Sequence, residues 1–63
     1  MTNADWIRSM KEGELATWLH NLCQFEVGED EEAWVSVFDK QNRIVEFHDS
    51  YGDWKNWLSK EAG

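Results

Sequence analysis

Apolar residues recur along this chain with two different periods, and the change of period divides it. Trp6, Ile7 and Met10 stand at i, i+1 and i+4, which share one side of a helix. Thr2 followed by Asp5 has the form of a capping box, with an aspartate at the third helical position in place of Glu or Gln. These residues predict a short helix over 3–10. Gly13 weakens any continuous helix, so a break or tight turn is expected over 11–13. Leu15, Trp18, Leu19 and Leu22 follow at i, i+3, i+4 and i+7, the stripe of a half-buried helix, and predict a second helix over 14–23. Glu12 and Glu14 fall in its first turn, where the helix dipole favours negative charge.

The middle of the chain reads differently. Glu26, Glu29, Asp30, Glu31 and Glu32, five of the thirteen acids, lie within seven residues that also contain Gly28. So dense a cluster is expected to form an exposed loop. From residue 33 the period becomes two, and strands are predicted over 33–38 and 43–48. Pairing Val37 with Val45 and Val35 with Phe47 puts four apolar side chains on one face. The hairpin then closes through Lys40, Gln41 and Asn42, with Asn42 able to take the left-handed conformation. On the opposite face Trp34 lies across from His48, Ser36 from Glu46, and Phe38 from Ile44.

Asp53 reads as the N-cap of a last helix, because Trp54, Trp57 and Leu58 follow at helical spacing up to residue 60. Residues 61–63 are expected to fray. The predicted fold class is α+β: two N-terminal helices, a β-hairpin and a short C-terminal helix (ααββα), in one small domain over 1–63. A lone hairpin is marginal, so the helices should cover the Val35, Val37, Val45 and Phe47 face. The Trp34, Phe38 and Ile44 face is then left for a partner.

Composition sharpens this picture. A domain of 63 residues buries only about 60% of the surface its unfolded chain exposes. Cys23 is the single cysteine, so no disulfide forms within the chain. So small a core needs help from a metal, oligomerisation or large side chains, and it is expected from the aromatic rings, each able to bury roughly 150–250 Å². Trp6, Trp18, Trp54 and Trp57 stand at helical spacing and are expected in the core. A lone cysteine, a start without the features of a secretory leader and no long apolar run point to the cytoplasm and away from the membrane. The net charge of −7 opposes direct contact with nucleic acid and suits a protein partner with a basic surface. Solubility alone explains such a charge as well.

Little in the sequence points to chemistry. His20 and Cys23 at i and i+3, with His48 and then Asp49 or Asp53, are candidate metal ligands. Structural zinc sites usually show two ligand pairs, however, and Cys23 equally continues the apolar stripe as a small hydrophobe. Cys23 beside His20 or His48 would need an oxyanion site and a pocket, for which so small a domain has little interior. No cofactor is expected, and the protein is read as no enzyme. The aromatic and acidic residues carry more. Trp34 beside Phe38 and Ile44 has the composition of an interface hot spot. Carboxylates at Glu26, Glu29, Asp30, Glu31, Glu32 and Glu46 would steer the chain towards Arg and Lys.

The opening Asn3-Ala4-Asp5, then Ile7-Arg8 and Met10, Glu14-Leu15-Ala16, and the ending Trp54 to Leu58, resemble a family of small phage and prophage proteins. Those chains begin with Asn-Ala-Asp-x-Ile-Arg-x-Met and end in a Trp-x-x-Trp-Leu helix. The resemblance covers the first twenty residues and the last ten. Many members carry several mid-chain cysteines in a metal-binding arrangement, and this chain departs there, holding only Cys23. What the resemblance implies is a phage or prophage origin. Phage genomes carry many small acidic proteins that disable host defence proteins, including inhibitors of nucleic-acid-guided nucleases. The leading expectation is therefore an acidic, non-enzymatic inhibitor acting in the host cytoplasm by occupying a basic site. The alternatives are a homodimer through the hairpin face and a small zinc-binding module.

Overall fold

A computed structural model describes residues 1–63. In chain order the elements are α1 (Asn3–Arg8), α2 (Glu12–Asn21), β1 (Cys23–Val27), β2 (Glu32–Phe38), β3 (Ile44–His48) and α3 (Tyr51–Ser59). The class is α+β as expected, but the order is ααβββα. A third strand, β1, joins the hairpin to give an antiparallel sheet in the order β1-β2-β3. The expected helix over 14–23 stops short of it, at Asn21. Leu22 is extended (φ −65°, ψ 133°), and Cys23 starts the strand. The expected acidic loop over 26–32 shrinks to a turn. Glu26 lies in β1 and Glu32 in β2, while Gly28 (φ 81°) and Glu31 (φ 51°) take the left-handed region that reverses the chain.

The predicted hairpin register is found unchanged: Val35 pairs with Phe47 and Val37 with Val45. Asn42 has the left-handed φ of 61°. Helix ends moved by a few residues. The break between α1 and α2 lies at Ser9 to Lys11, with Gly13 inside the first turn of α2, where the N–H groups have no intrahelical partner to lose. α3 starts two residues before Asp53. Its N-cap is Ser50, whose Oγ accepts from the Asp53 N–H (3.3 Å) and donates to Asp53 Oδ2 (2.7 Å).

The helices lie on one face of the sheet. Val35 and Val37 are fully buried there, beneath Trp18 and Trp57. The indoles form a continuous run of rings. Trp18 stacks on Trp57 (6.3 Å, 7°), and Trp57 on Phe47 (5.7 Å, 23°). Trp6 meets Trp18 edge-on at 6.5 Å, and Trp54 meets Phe47 at 5.0 Å. Offset and edge-to-face geometries of this kind add to the energy of area burial. Two of the indole N–H groups have partners: Trp18 Nε1 donates to the Phe38 carbonyl (2.7 Å) and Trp54 Nε1 to Asp49 Oδ1 (2.8 Å). All four tryptophans expected in the core are buried there or packed against it.

The chain ends are tied together, contrary to the fraying expected of 61–63. Asn3 is buried, and its Nδ2 donates to the Trp57 carbonyl (2.8 Å). Its backbone N–H donates to the Lys60 carbonyl (2.8 Å), and the Ala62 N–H to the Met1 carbonyl (2.9 Å). Ala62 is buried, and Gln41 Nε2 donates to its carbonyl (2.7 Å). A buried amide and a network of main-chain bonds replace the apolar contacts that so short a tail lacks.

The capping box at α1 is present. The Thr2 N–H donates to Asp5 Oδ2 (3.1 Å), and Asp5 N–H to Thr2 Oγ1 (3.1 Å). The bond from the Thr2 backbone, then that from its hydroxyl, holds the Asp5 carboxyl below its ordinary value of 3.8. A carboxylate with a depressed folded value stabilises the fold above its unfolded value. That contribution is lost as pH falls through the folded one. An NMR titration should therefore place the Asp5 midpoint below 3.8. Thr2→Ala, which removes the hydroxyl but keeps the N–H, should return the midpoint part of the way.

Candidate protein-binding face

Strand alternation sends the other half of the side chains to the sheet face that the helices leave uncovered. The register assembles them in rungs. Val27 lies beside Glu32; Phe25 beside Trp34 and then His48; Cys23 beside Ser36 and then Glu46; Phe38 beside Ile44. With strands about 4.8 Å apart, the face is roughly 10 Å wide. Ile44 is 64% exposed and Val27 45%. None of these ten residues is Lys or Arg, and two are Glu.

Trp34 is the centre of this face. Its ring lies 4.2 Å from that of His48, tilted by 41°. His48 Nε2 in turn lies 3.2 Å from Glu32 Oε2. Trp34 Nε1 is buried without a hydrogen-bond partner. An unpaired buried donor costs about 1–3 kcal/mol, which offsets part of what burial of the ring contributes. Trp34 also stands outside the group of side chains packed against the core.

The predicted partner-binding residues divide. Glu32, Trp34, Ile44 and Glu46 share the open face. Phe38 has its register position there but is partly buried and packs against the core, where its carbonyl also receives Trp18. Glu26 alternates to the opposite side of β1, paired with Ala33. Glu29, Asp30 and Glu31 stand exposed in the turn at one end of β2. Phe25, Val27 and Cys23 join the face with a strand that helical reading of residue 23 concealed. Their signal was present: apolar residues at 23, 25 and 27, alternating with Gln24 and Glu26.

Charge is segregated along the chain. From Glu12 to Asp39 there are eight acidic residues and no Lys or Arg. At the far end of β2, Arg43 lies against Asp39, its N–H 2.8 Å and its Nε 3.3 Å from the two carboxylate oxygens. The acidic turn has no such partners.

The candidate metal ligands are dispersed. His20 lies in α2, Cys23 is exposed on β1, and His48 contacts Glu32. No three His, Cys, Asp or Glu side chains converge on a point that could hold a metal ion. The i, i+3 helical pairing of His20 and Cys23 fails because the helix ends between them. A cleft of about 490 Å³ opens between α1, α2 and the β2–β3 turn, lined by Trp6, Trp18, Phe38, Glu14, Asp39 and Lys40 among others. Asp49 is used structurally: besides Trp54, it accepts from Gln24 Nε2 (3.0 Å), tying β1 to the start of α3. No helix is long and apolar enough to cross a membrane.

Compared with known proteins, the chain matches no family model, no curated protein and no solved structure.

Proposed function

We propose that the protein is a non-enzymatic binding module whose open sheet face and acidic turn seat on a basic surface of another protein. The observation that carries this is the uncovered face centred on Trp34, bordered by carboxylates and free of Lys and Arg. The indole supplies apolar area at low entropic cost, and the carboxylates of Glu29, Asp30, Glu31 and Glu32 supply orientation and rate of encounter. Acting by occupation, the module would exclude nucleic acid from the same Arg and Lys residues. With the phage resemblance of its two ends, this makes a phage-derived inhibitor of a host defence or nucleic-acid-processing protein the best-supported reading. Host cytoplasm is the compartment that goes with it.

The test is affinity capture from host lysate at low and high salt, run in parallel with wild type and Trp34→Ala. A basic protein retained by wild type at low salt should be released at high salt. Its affinity for the purified Trp34→Ala chain should fall by at least tenfold, as befits a central aromatic anchor. A thermal melt of the variant checks that the fold survives. Retention that ignores both salt and Trp34 would end this reading. Gel filtration of the purified wild-type and Trp34→Ala chains addresses the second reading, a homodimer through Ile44 and Trp34. A wild-type dimer that Trp34→Ala converts to monomer would replace the first.

A further inference from the structure

The sheet has two edges, and they are not alike. β3 is braced: Val45 and Phe47 are half-buried against the core, and the rings of Trp54 and Trp57 pack on Phe47. β1 is not. Of its five residues only Phe25 is even half-buried. Gln24 and Glu26, on the side facing the helices, are exposed, as are Cys23 and Val27 on the other. In an antiparallel ladder every second residue of an edge strand turns its N–H and C=O outward. Those of β1 face no further strand.

Soluble proteins usually blunt such an edge by keeping it short, or with a charged side chain, Pro, a bulge or a covering segment. β1 is short and carries one charge, Glu26, which repels an acidic neighbour and attracts a basic one, and it has no Lys, Pro or bulge. It reads Cys-Gln-Phe-Glu-Val, the chain contains no proline, and its five residues pair one-for-one with β2. Its side chains alternate, Cys23, Phe25 and Val27 towards the open face and Gln24 and Glu26 towards the other. The adjoining turn adds Glu29, Asp30 and Glu31.

We propose that the free edge of β1 receives an extended basic segment of the partner as a fourth strand. Resting on the reading above, this specifies how the partner binds. The segment it fits alternates apolar residues, laid beside Phe25 and Val27, with Lys or Arg, laid beside Glu26. Main-chain hydrogen bonds give such strand addition its affinity, and the alternate side chains give it specificity. Charge decides between a foreign basic segment and a second copy. Two copies would each bring a net charge of −7 and an acidic turn to the same seam, whereas a basic strand is attracted to both.

The experiment uses the full chain, ¹⁵N-labelled, and two synthetic heptapeptides of alternating Lys and Val. One is unmodified and the other is N-methylated at every residue, which keeps the side chains and charges but removes the N–H donors. At low salt the unmodified peptide should bind and slow amide exchange in Cys23–Val27 at least tenfold. The methylated peptide should bind at least tenfold more weakly. Equal, salt-sensitive affinity of both peptides would overturn strand addition while leaving the basic-surface reading intact. Failure of both to bind at low salt would overturn both. Sedimentation of the peptide-free chain as a dimer with protected β1 amides would assign the edge to a second copy and overturn the proposal.

Discussion

Trp57→Ala should leave the domain largely unfolded at 37 °C. Trp57 is 5% exposed and is the ring on which the others converge, stacked with Trp18 and Phe47 and touched edge-on by Trp54. Its carbonyl also receives the buried amide of Asn3, so its position fixes the meeting of α1 with α3. Large-to-small aromatic substitution in a core costs about 3–5 kcal/mol. A domain of this size has in total roughly 3–9 kcal/mol at the usual stability per residue. The cavity cannot collapse easily, because Val35 and Val37 below are already fully buried. Thermal and urea denaturation followed by far-UV circular dichroism should show a midpoint lowered by tens of degrees or no cooperative transition. A variant that melts within a few degrees of wild type would mean that the indole run is not the core.

The second large effect separates binding from folding. Glu29→Gln, Asp30→Asn and Glu31→Gln together should leave the fold intact, because all three side chains are exposed in the turn. The net charge goes from −7 to −4 with three carboxylates neutralised, so the melting temperature should hold or rise slightly. Affinity for the basic partner should nevertheless fall about 10–100-fold at low salt, the sum of several charge contacts. The slope of affinity against salt concentration should flatten as well. Isothermal titration at three ionic strengths gives both numbers. Unchanged affinity and slope would remove the acidic turn from the interface and leave Trp34 as its sole anchor.

What could be read from the sequence, and what could not, follows from which forces act locally. The β2–β3 register was legible because Val35, Val37, Val45 and Phe47 must all face one side, and a slip of one residue would expose them. The Thr2–Asp5 cap was legible because both partners lie within four residues. β1 was hidden by its neighbours. Leu22 extends the helical stripe, Glu26 joins an acidic run, and strands are poor in Glu. The alternation of Cys23, Phe25 and Val27 with Gln24 and Glu26 is too short to outweigh these neighbours by itself, and pairing with β2, a tertiary effect, decides for the strand. The α3 start lies upstream of Asp53 because Ser50 and Asp53 are both good N-caps, and Ser50, three residues earlier, accepts from the Asp53 N–H and donates its hydroxyl to the Asp53 carboxylate. For the site, composition drew attention to Trp34 and the acids. It could not show that Phe38 would be taken up by the core, or that Phe25 and Val27 would extend the face.

The knotted-together ends have a consequence for how the domain can be rewired. Met1 and Glu61 lie 2.7 Å apart at their charged groups, and Thr2 bridges to Glu61 as a strand would. The polypeptide is thus almost a closed ring, and a linker of a few residues would complete it with little loop-closure entropy left to overcome. Cutting that ring in the Gly28–Glu31 turn would give a circular permutant with β1 as its last strand and β2 as its first. The same adjacency suits the unit for insertion into a surface loop of another protein, since both connections leave from one point. Such a graft would leave the open sheet face free, since the joined ends meet where α1 packs on α3, in the helical layer on the other side of the sheet.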